Sequence, residues 1–137
     1  MTYQEIIKVE TRGHGDIHDI TDPVADVVRK SGISEGITHI FNIGSTASIG
    51  TIEFEPGLEA DLPELLDRLI PESRDYGHEQ TCHDGNGHSH LQASLLGPSL
   101  TVPVMKGNLQ TGTWQQIFHL ECDVKPRNRK IVVTVMG

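Results

Sequence analysis

Leu100-Thr-Val-Pro-Val104, Lys106-Gly-Asn108, Gly112-Thr-Trp-Gln-Gln-Ile-Phe-His-Leu-Glu-Cys122, Asp123-Val-Lys-Pro-Arg-Asn-Arg129 and Lys130-Ile-Val-Val-Thr-Val-Met136 make up most of the C-terminal part of the chain. The first, third and fifth of these read as strands, rich in β-branched and aromatic residues. Lys106-Gly-Asn108 reads as a turn, and Asp123–Arg129, with Pro126 and Asn128, as a basic turn. Trp114, Ile117, Phe118 and Leu120 supply the apolar content of the long middle strand. Strands this closely spaced fit a mostly antiparallel sheet.

Working toward the N-terminus, helices and strands interleave. Residues 3–10 and 36–43 read as strands, and 49–55 as a third, with Glu53 and Glu55 on one face by the period of two. Asp19–Lys30 reads as a helix: Asp22 is a cap, Pro23 takes the first helical position, and Ile20, Val24, Val27 and Val28 follow at helical spacing. A second helix starts near Asp61, where Glu64 three residues on makes a capping-box arrangement, and runs to Leu69. Leu91–Gly97 reads as a short third helix with Asn86 as its cap. Six or seven strands and three helices in mixed order define an α+β domain, a mixed but mostly antiparallel sheet with helices packed on it. The whole chain, 1–137, reads as one such domain.

Composition narrows the function. The 137 residues carry a formal charge of −8, which excludes a general nucleic-acid binder, because phosphate neutralisation needs excess Lys and Arg. No apolar run approaches the roughly 20 residues that span a bilayer, and no signal peptide is visible, so a cytoplasmic protein is expected. Two cysteines forty residues apart make no disulfide framework.

Chemistry concentrates in Tyr76-Gly-His-Glu-Gln-Thr-Cys-His-Asp-Gly-Asn-Gly-His-Ser-His90, which holds four of the eight histidines and Cys82. Its glycines and the Asp84-Gly-Asn86 run predict a turn-rich loop. Imidazole, thiol and carboxylate at this density suit a metal site or an acid–base site. His78, His88, His90 and Cys82 are the candidate ligands. His88 and His90 converge only if both lie in open loop; in a helix, residues two apart point about 200° apart. His90 alone then meets His78 or His83. Gly44-Ser-Thr-Ala-Ser48 and the basic turn are candidate anion binders, through Ser45 and Thr46 and through Arg127 and Arg129.

Gly44-Ser-Thr-Ala-Ser48, Tyr76-Gly-His78, Asn86-Gly-His-Ser-His-Leu91, Ser94-Leu-Leu-Gly-Pro-Ser99, Gln110-Thr-Gly-Thr-Trp-Gln-Gln-Ile117 and Pro126-Arg-Asn-Arg-Lys130 together resemble the YjbQ-like family, also called the secondary thiamine-phosphate synthase family. The resemblance implies an α+β domain assembled as a homotrimer, with a polar pocket near the His-bearing segment. It also implies a transferase that condenses a pyrimidine diphosphate with a thiazole phosphate. Carried onto this chain, His78, Asn86, His90 and Asp61 fall on the family's catalytic positions. Where the family commonly has His-Thr-[Ser/Thr]-Ala, this chain has Gly44-Ser-Thr-Ala47. The expected partners are a small phosphorylated substrate and a divalent metal, Mg²⁺ or Zn²⁺. The alternatives to the transferase are a zinc protein or metal-assisted hydrolase using the His-rich loop, and a trimeric scaffold without chemistry.

Overall fold

The computed structural model describes residues 1–137. In chain order the strands are β1 (Thr2–Glu10), β2 (Ile17–Asp19), β3 (Glu35–Ile43), β4 (Ala47–Ile52), β5 (Ser99–Met105), β6 (Asn108–Leu109), β7 (Gln116–Glu121) and β8 (Asn128–Met136). The helices are α1 (Thr21–Ser31), α2 (Pro56–Leu69), α3 (Gly77–Thr81) and α4 (Gly87–Leu96). The α+β class holds, but the single mixed sheet divides into two. One has the order β1-β8-β3-β5-β6 and the other β2-β7-β4, and every pairing is antiparallel.

The two sheets share one core. Ile40 of β3, Val102 and Val104 of β5, and Ile131, Val133 and Val135 of β8 point inward. They meet Ile49 of β4, Ile117 of β7, and the Val24, Val27 and Val28 stripe of α1. Each such side chain contributes roughly 1.5–3 kcal/mol when fully buried. The opposite face of the three-stranded sheet carries Phe118, Leu120 and Cys122, which pack against Leu66 of α2 and Ala93 of α4. Gly50 makes room for this layer, since a Cβ there would sit 2.6 Å from the Phe118 ring. β7 is therefore buried on both faces, with Ile117, His119 and Glu121 turned toward the larger sheet.

Several boundaries differ from the sequence expectation. α2 begins at Pro56, not near Asp61. Glu55 is its cap, accepting the Gly57 and Leu58 N–H groups at 2.8 and 2.6 Å. The Pro-Gly pair that reads as a break is instead a helix start, because Pro at the first position loses no bond. Glu53 and Glu55 consequently share no strand face. Pro63 lies inside the helix and forgoes one ladder bond. α1 is capped differently too: Asp19 accepts the Thr21 N–H at 2.9 Å, and Gly32, at φ 68°, closes it in the left-handed conformation. The middle strand of the C-terminal run is shorter than read. Residues 112–115 form a turn in which the Gln115 side chain accepts the Gly112 N–H at 3.0 Å, and Trp114 stands 73 % exposed.

His119 carries a titration consequence. It is fully buried, and its Nε2–H donates to Asn42 Oδ1 at 2.9 Å, while Nδ1 has no partner. Burial outweighs the opposing Glu121 charge and, with the Arg129 charge, pushes its pKa down to about 4. The folded protein therefore refuses a proton that the unfolded chain accepts near pH 6.5. Stability is lost as pH falls from about 6.5 to about 4 and the loss levels off below, amounting to roughly 3 kcal/mol. Urea unfolding across that window should show His119→Gln, which keeps an N–H donor for Asn42, with a correspondingly shallower fall. Parallel curves for the two proteins would contradict this account.

Candidate metal and anion site

The His-rich segment is organised by a buried carboxylate. Glu79 of α3 is 3 % exposed. Its Oε1 accepts the Gly87 N–H at 2.8 Å, and its Oε2 accepts the Gly85 N–H at 2.9 Å and Arg74 Nη1 at 3.0 Å. These bonds, the Gly87 N–H foremost, hold its pKa below the usual carboxylate range. The loop between α3 and α4 is thereby folded back on α3. His83 and Gly85 reverse the chain at φ 55° and 75°, and a Cβ at Gly87 would come within 3.0 Å of Tyr76.

That closure brings three donors together. Asp84 Oδ1 accepts the Asn86 N–H at 2.9 Å and faces His78 Nε2 at 2.9 Å. The His78 and His90 rings lie 4.6 Å apart, centroid to centroid. One ligand atom from each of His78, Asp84 and His90 lies within 4.8 Å of the others. The Asn86 N–H, then the His78 hydrogen bond, keep Asp84 ionised below its ordinary pKa.

The expected ligand set changes at two positions. α4 starts at Gly87, so His88 and His90 are both helical and diverge. His88 is 2 % exposed and lies against His14, with ring centroids 5.1 Å apart. Burial, reinforced by the His14 charge, lowers its pKa. Cys82 is exposed beyond the end of α3 and outside the donor cluster. Asp84 takes the place these two were expected to fill.

Beside the donors lies a cavity of about 320 Å³ with no apolar residue in its lining, formed by Gly44, Ser45, Thr46, Asp84, Asn86, His90, Asp123, Arg127 and Arg129. Its floor is a buried ionic network. Glu121 accepts from Arg129 Nε at 2.8 Å and from Arg129 Nη2. Arg129 Nη2 also donates to Thr46 Oγ1, and Thr46 donates to Asp123 Oδ2 at 2.9 Å. Asp123 Oδ2 also accepts Arg127 Nε at 3.0 Å, and its Oδ1 accepts the Asn86 side chain at 3.2 Å. Burial works against the Asp123 charge, but the Lys125 N–H and these partners outweigh it and lower its pKa.

Ser45, Thr46, Asn86, His90, Arg127 and Arg129 thus meet at one cavity, with His78 bound to its edge through Asp84. Asn86 does not cap α4 with its side chain. It is spent on Asp123 and on the Val124 N–H, at 3.1 Å. Asp61 stands apart on exposed α2, in a groove lined largely by Ile52, Leu58, Leu62 and Leu65. Sequence reading missed Asp84, Glu79, Glu121 and Asp123. Asp84, between His83 and Gly85, was the one with a visible signal.

The fold and this geometry define a small, all-antiparallel α+β domain with a polar, His- and Arg-lined cavity between the two sheets and the His-rich segment. The chain belongs to the YjbQ family: the profile for UPF0047 protein YjbQ-like matches residues 5–137. A UPF0047 protein of Methanothermobacter thermautotrophicus is 42% identical over 135 residues, 98% of this chain and 92% of its own. UPF0047 protein YjbQ of Escherichia coli O157:H7 is 32% identical over 142 residues, covering 100% of this chain and 99% of its own. The crystal structure of a YbjQ-like protein of unknown function from Sulfolobus solfataricus P2 superposes with a TM-score of 0.93 at 39% identity, covering 100% of this chain and 98% of that one. These relatives are described as family members or as proteins of unknown function, and nothing in them points to thiamine-phosphate synthase activity. The expected pyrimidine–thiazole transferase is overturned by that finding. No helix of the chain is long and apolar enough to cross a membrane.

The Glu79 clamp makes a direct prediction. Glu79→Gln replaces one accepting oxygen by an amide nitrogen that faces a backbone N–H. Amide exchange at Gly85 and Gly87 should accelerate on the order of tenfold, while the β8 amides keep their protection. Unchanged exchange at both glycines would show that the loop is held by something else.

Proposed function

We propose that the chain binds a divalent transition-metal ion through His78, Asp84 and His90, and that the ion activates a water molecule in the adjoining cavity for hydrolytic chemistry. The observation that carries this reading is the convergence of the three donor atoms within 4.8 Å. Tetrahedral ligands about 2.0–2.1 Å from zinc are roughly 3.3 Å from one another, so modest side-chain rotation admits an ion. Two imidazoles and one carboxylate suit Zn²⁺ rather than Mg²⁺, which prefers an all-oxygen shell. Three protein ligands leave a fourth position open, the arrangement that lowers the pKa of bound water and makes a nucleophile near neutral pH. Asn86 holds Asp84 through its N–H and Asp123 through its side chain, so one residue links the donors to the cavity floor.

Metal content per chain, measured by plasma mass spectrometry on untagged protein, tests the reading. About one Zn²⁺ per chain is expected, consistent with three protein ligands. His78→Ala and His90→Ala should lose it, and Cys82→Ser should keep it. A wild-type chain that neither carries a transition metal nor takes up added Zn²⁺ would overturn the proposal.

A second reading concerns assembly. Ile6, Ile37, Phe41, Ile43 and Met136 are 55%, 43%, 41%, 50% and 47% exposed, and they share the outer face of the five-stranded sheet. Ile6 and Phe41 both pair with Val132, and Ile37 pairs with Met136, so the apolar rows run across three strands. We propose that this face packs against further copies of the chain, in the trimer that the family resemblance implies. Light scattering should give three chain masses for the wild type and one for Phe41→Lys; a monomeric wild type would sink the idea.

A further inference from the structure

The registers of β1, β8, β3 and β5 set out the outer face of the large sheet row by row. Ile6, Val132, Phe41 and Ser99 form one row, and Thr2, Met136, Ile37 and Pro103 form another. Between them runs a polar row of Gln4, Thr134, His39 and Thr101. Gln4 donates to Thr134 Oγ1 at 2.8 Å, and His39 Nδ1 lies 2.8 Å from Thr101 Oγ1. The His39 ring stands beside Phe41, with centroids 6.4 Å apart and planes inclined by 27°. These two neighbours hold the imidazole on the face. It is the one histidine of the eight that lies in the large sheet. The charged strand residues of the face stand at its two ends: Glu10, with Lys8 directly opposite Lys130, at one, and Glu35 at the other. Lys106 and the joined chain termini, Met1 and Gly137, lie at the Glu35 end. No carboxylate falls in the row of His39 or in the rows on either side. The strand residues sum to no net charge, in a chain of net charge −8.

We propose that His39 makes assembly through this face pH-dependent: copies of the chain pack while the imidazole is neutral and separate when it is protonated. The proposal rests on the assembly reading above and names its regulation. Charge favours a second copy as the occupant. Two acidic chains repel one another, least where they meet through a surface of no net charge. Closing another copy over these rows removes His39 from water. A neutral imidazole, with one nitrogen already bound to Thr101, tolerates that. A charged one is penalised by desolvation, and neither its own row nor the adjacent rows offer a carboxylate to compensate. The nearest charges of the face beyond the Phe41 row are Lys8 and Lys130, which oppose a proton further. The assembly therefore binds fewer protons than the free chains. Imidazole ordinarily titrates near pH 6.5, so assembly is favoured above about that pH and weakens progressively below it. Each copy contributes one His39. A tenfold preference of the covered site for the neutral ring weakens a trimer about a thousandfold.

Sedimentation velocity on the full chain at about pH 7.5 and about pH 5.5, at one ionic strength and over a range of concentrations, tests the proposal. Circular dichroism at each pH reports whether the chain stays folded. The wild type should run as three chains at the higher pH and dissociate at the lower, with an association constant lower by about a hundredfold or more. His39→Gln keeps a neutral polar group beside Thr101 and should stay assembled at both. His39→Lys carries its charge at both and should run as one chain at both. His39→Gln retains His119, so it separates loss of assembly from the acid sensitivity of the core. A folded wild type that stays assembled at the lower pH overturns the switch and spares the assembly reading. His39→Gln that dissociates or unfolds alongside the wild type places the titration elsewhere and overturns it. His39→Lys that assembles like the wild type overturns the burial of this ring between copies. A wild type that runs as one chain at the higher pH removes both readings.

Discussion

Glu121 of β7 and Arg129 of β8 form a buried ion pair between the two sheets, 0% and 7% exposed. Removing two such charges from water costs several kcal/mol each, and their attraction offsets this only with good geometry and fully used lone pairs. Those conditions hold here. Thr11, at the end of β1, donates to Glu121 at 2.7 Å, and Thr46, just ahead of β4, accepts from Arg129 at 2.8 Å. Four chain segments therefore converge on one charged centre. An apolar pair of the same volume would serve stability as well, but it would give neither the convergence of strand ends nor a guanidinium edge facing the cavity. The ion pair is best understood as a positioning device whose stabilising value is secondary.

The strand ladder was legible to the extent that one face of each strand is wet. β1 alternates exposed and half-buried along its whole length, and β3 and β8 alternate almost as cleanly, so their limits fall within two residues of the reading. β7 is buried on both faces and has no alternation to read. Its start was misplaced because Trp114 looks like core and is instead exposed in a turn. β2 is three residues long and leaves no pattern. α2 was shortened because a Glu cap followed by Pro-Gly resembles a chain break until the two N–H bonds to Glu55 are seen.

The candidate site was legible as a density of histidines, and as two polar or basic segments far apart in the chain whose residues meet at one cavity. Which histidines cooperate depended on one local fact, the start of α4. With Gly87 as its first residue, His88 turns into the protein against His14 and His90 turns out toward His78. Nothing in the composition of residues 82–90 fixes that start. It follows from the Gly87 N–H being held by Glu79, eight residues earlier. Carboxylates are also the residues least distinguishable by type. Glu79 clamps a loop, Asp84 faces two imidazoles, Asp123 ties the cavity floor, and Asp67 holds His14 at 2.7 Å, yet each reads in the sequence as one more acidic residue.

His14 illustrates how the histidines divide the work. Its Nδ1 faces the Cys122 carbonyl at 2.7 Å and its Nε2 faces the Asp67 carboxylate. Both neighbours are acceptors, so both hydrogen bonds are made only when both ring nitrogens carry protons. Burial opposes that charge, but the Asp67 and Cys122 hydrogen bonds prevail and raise the pKa. A ring committed in this way cannot ligate a metal, and its charge also discourages protonation of the adjacent His88. His119 is committed differently, as a neutral donor to Asn42. His78 and His90 are the members of this group whose nitrogens approach one another and a carboxylate. Function in a fold of this kind resides in local chemistry rather than in architecture. Here the local chemistry separates His14 and His119, whose ring nitrogens are committed inside the fold, from His78 and His90, which stand together beside Asp84 at the cavity edge.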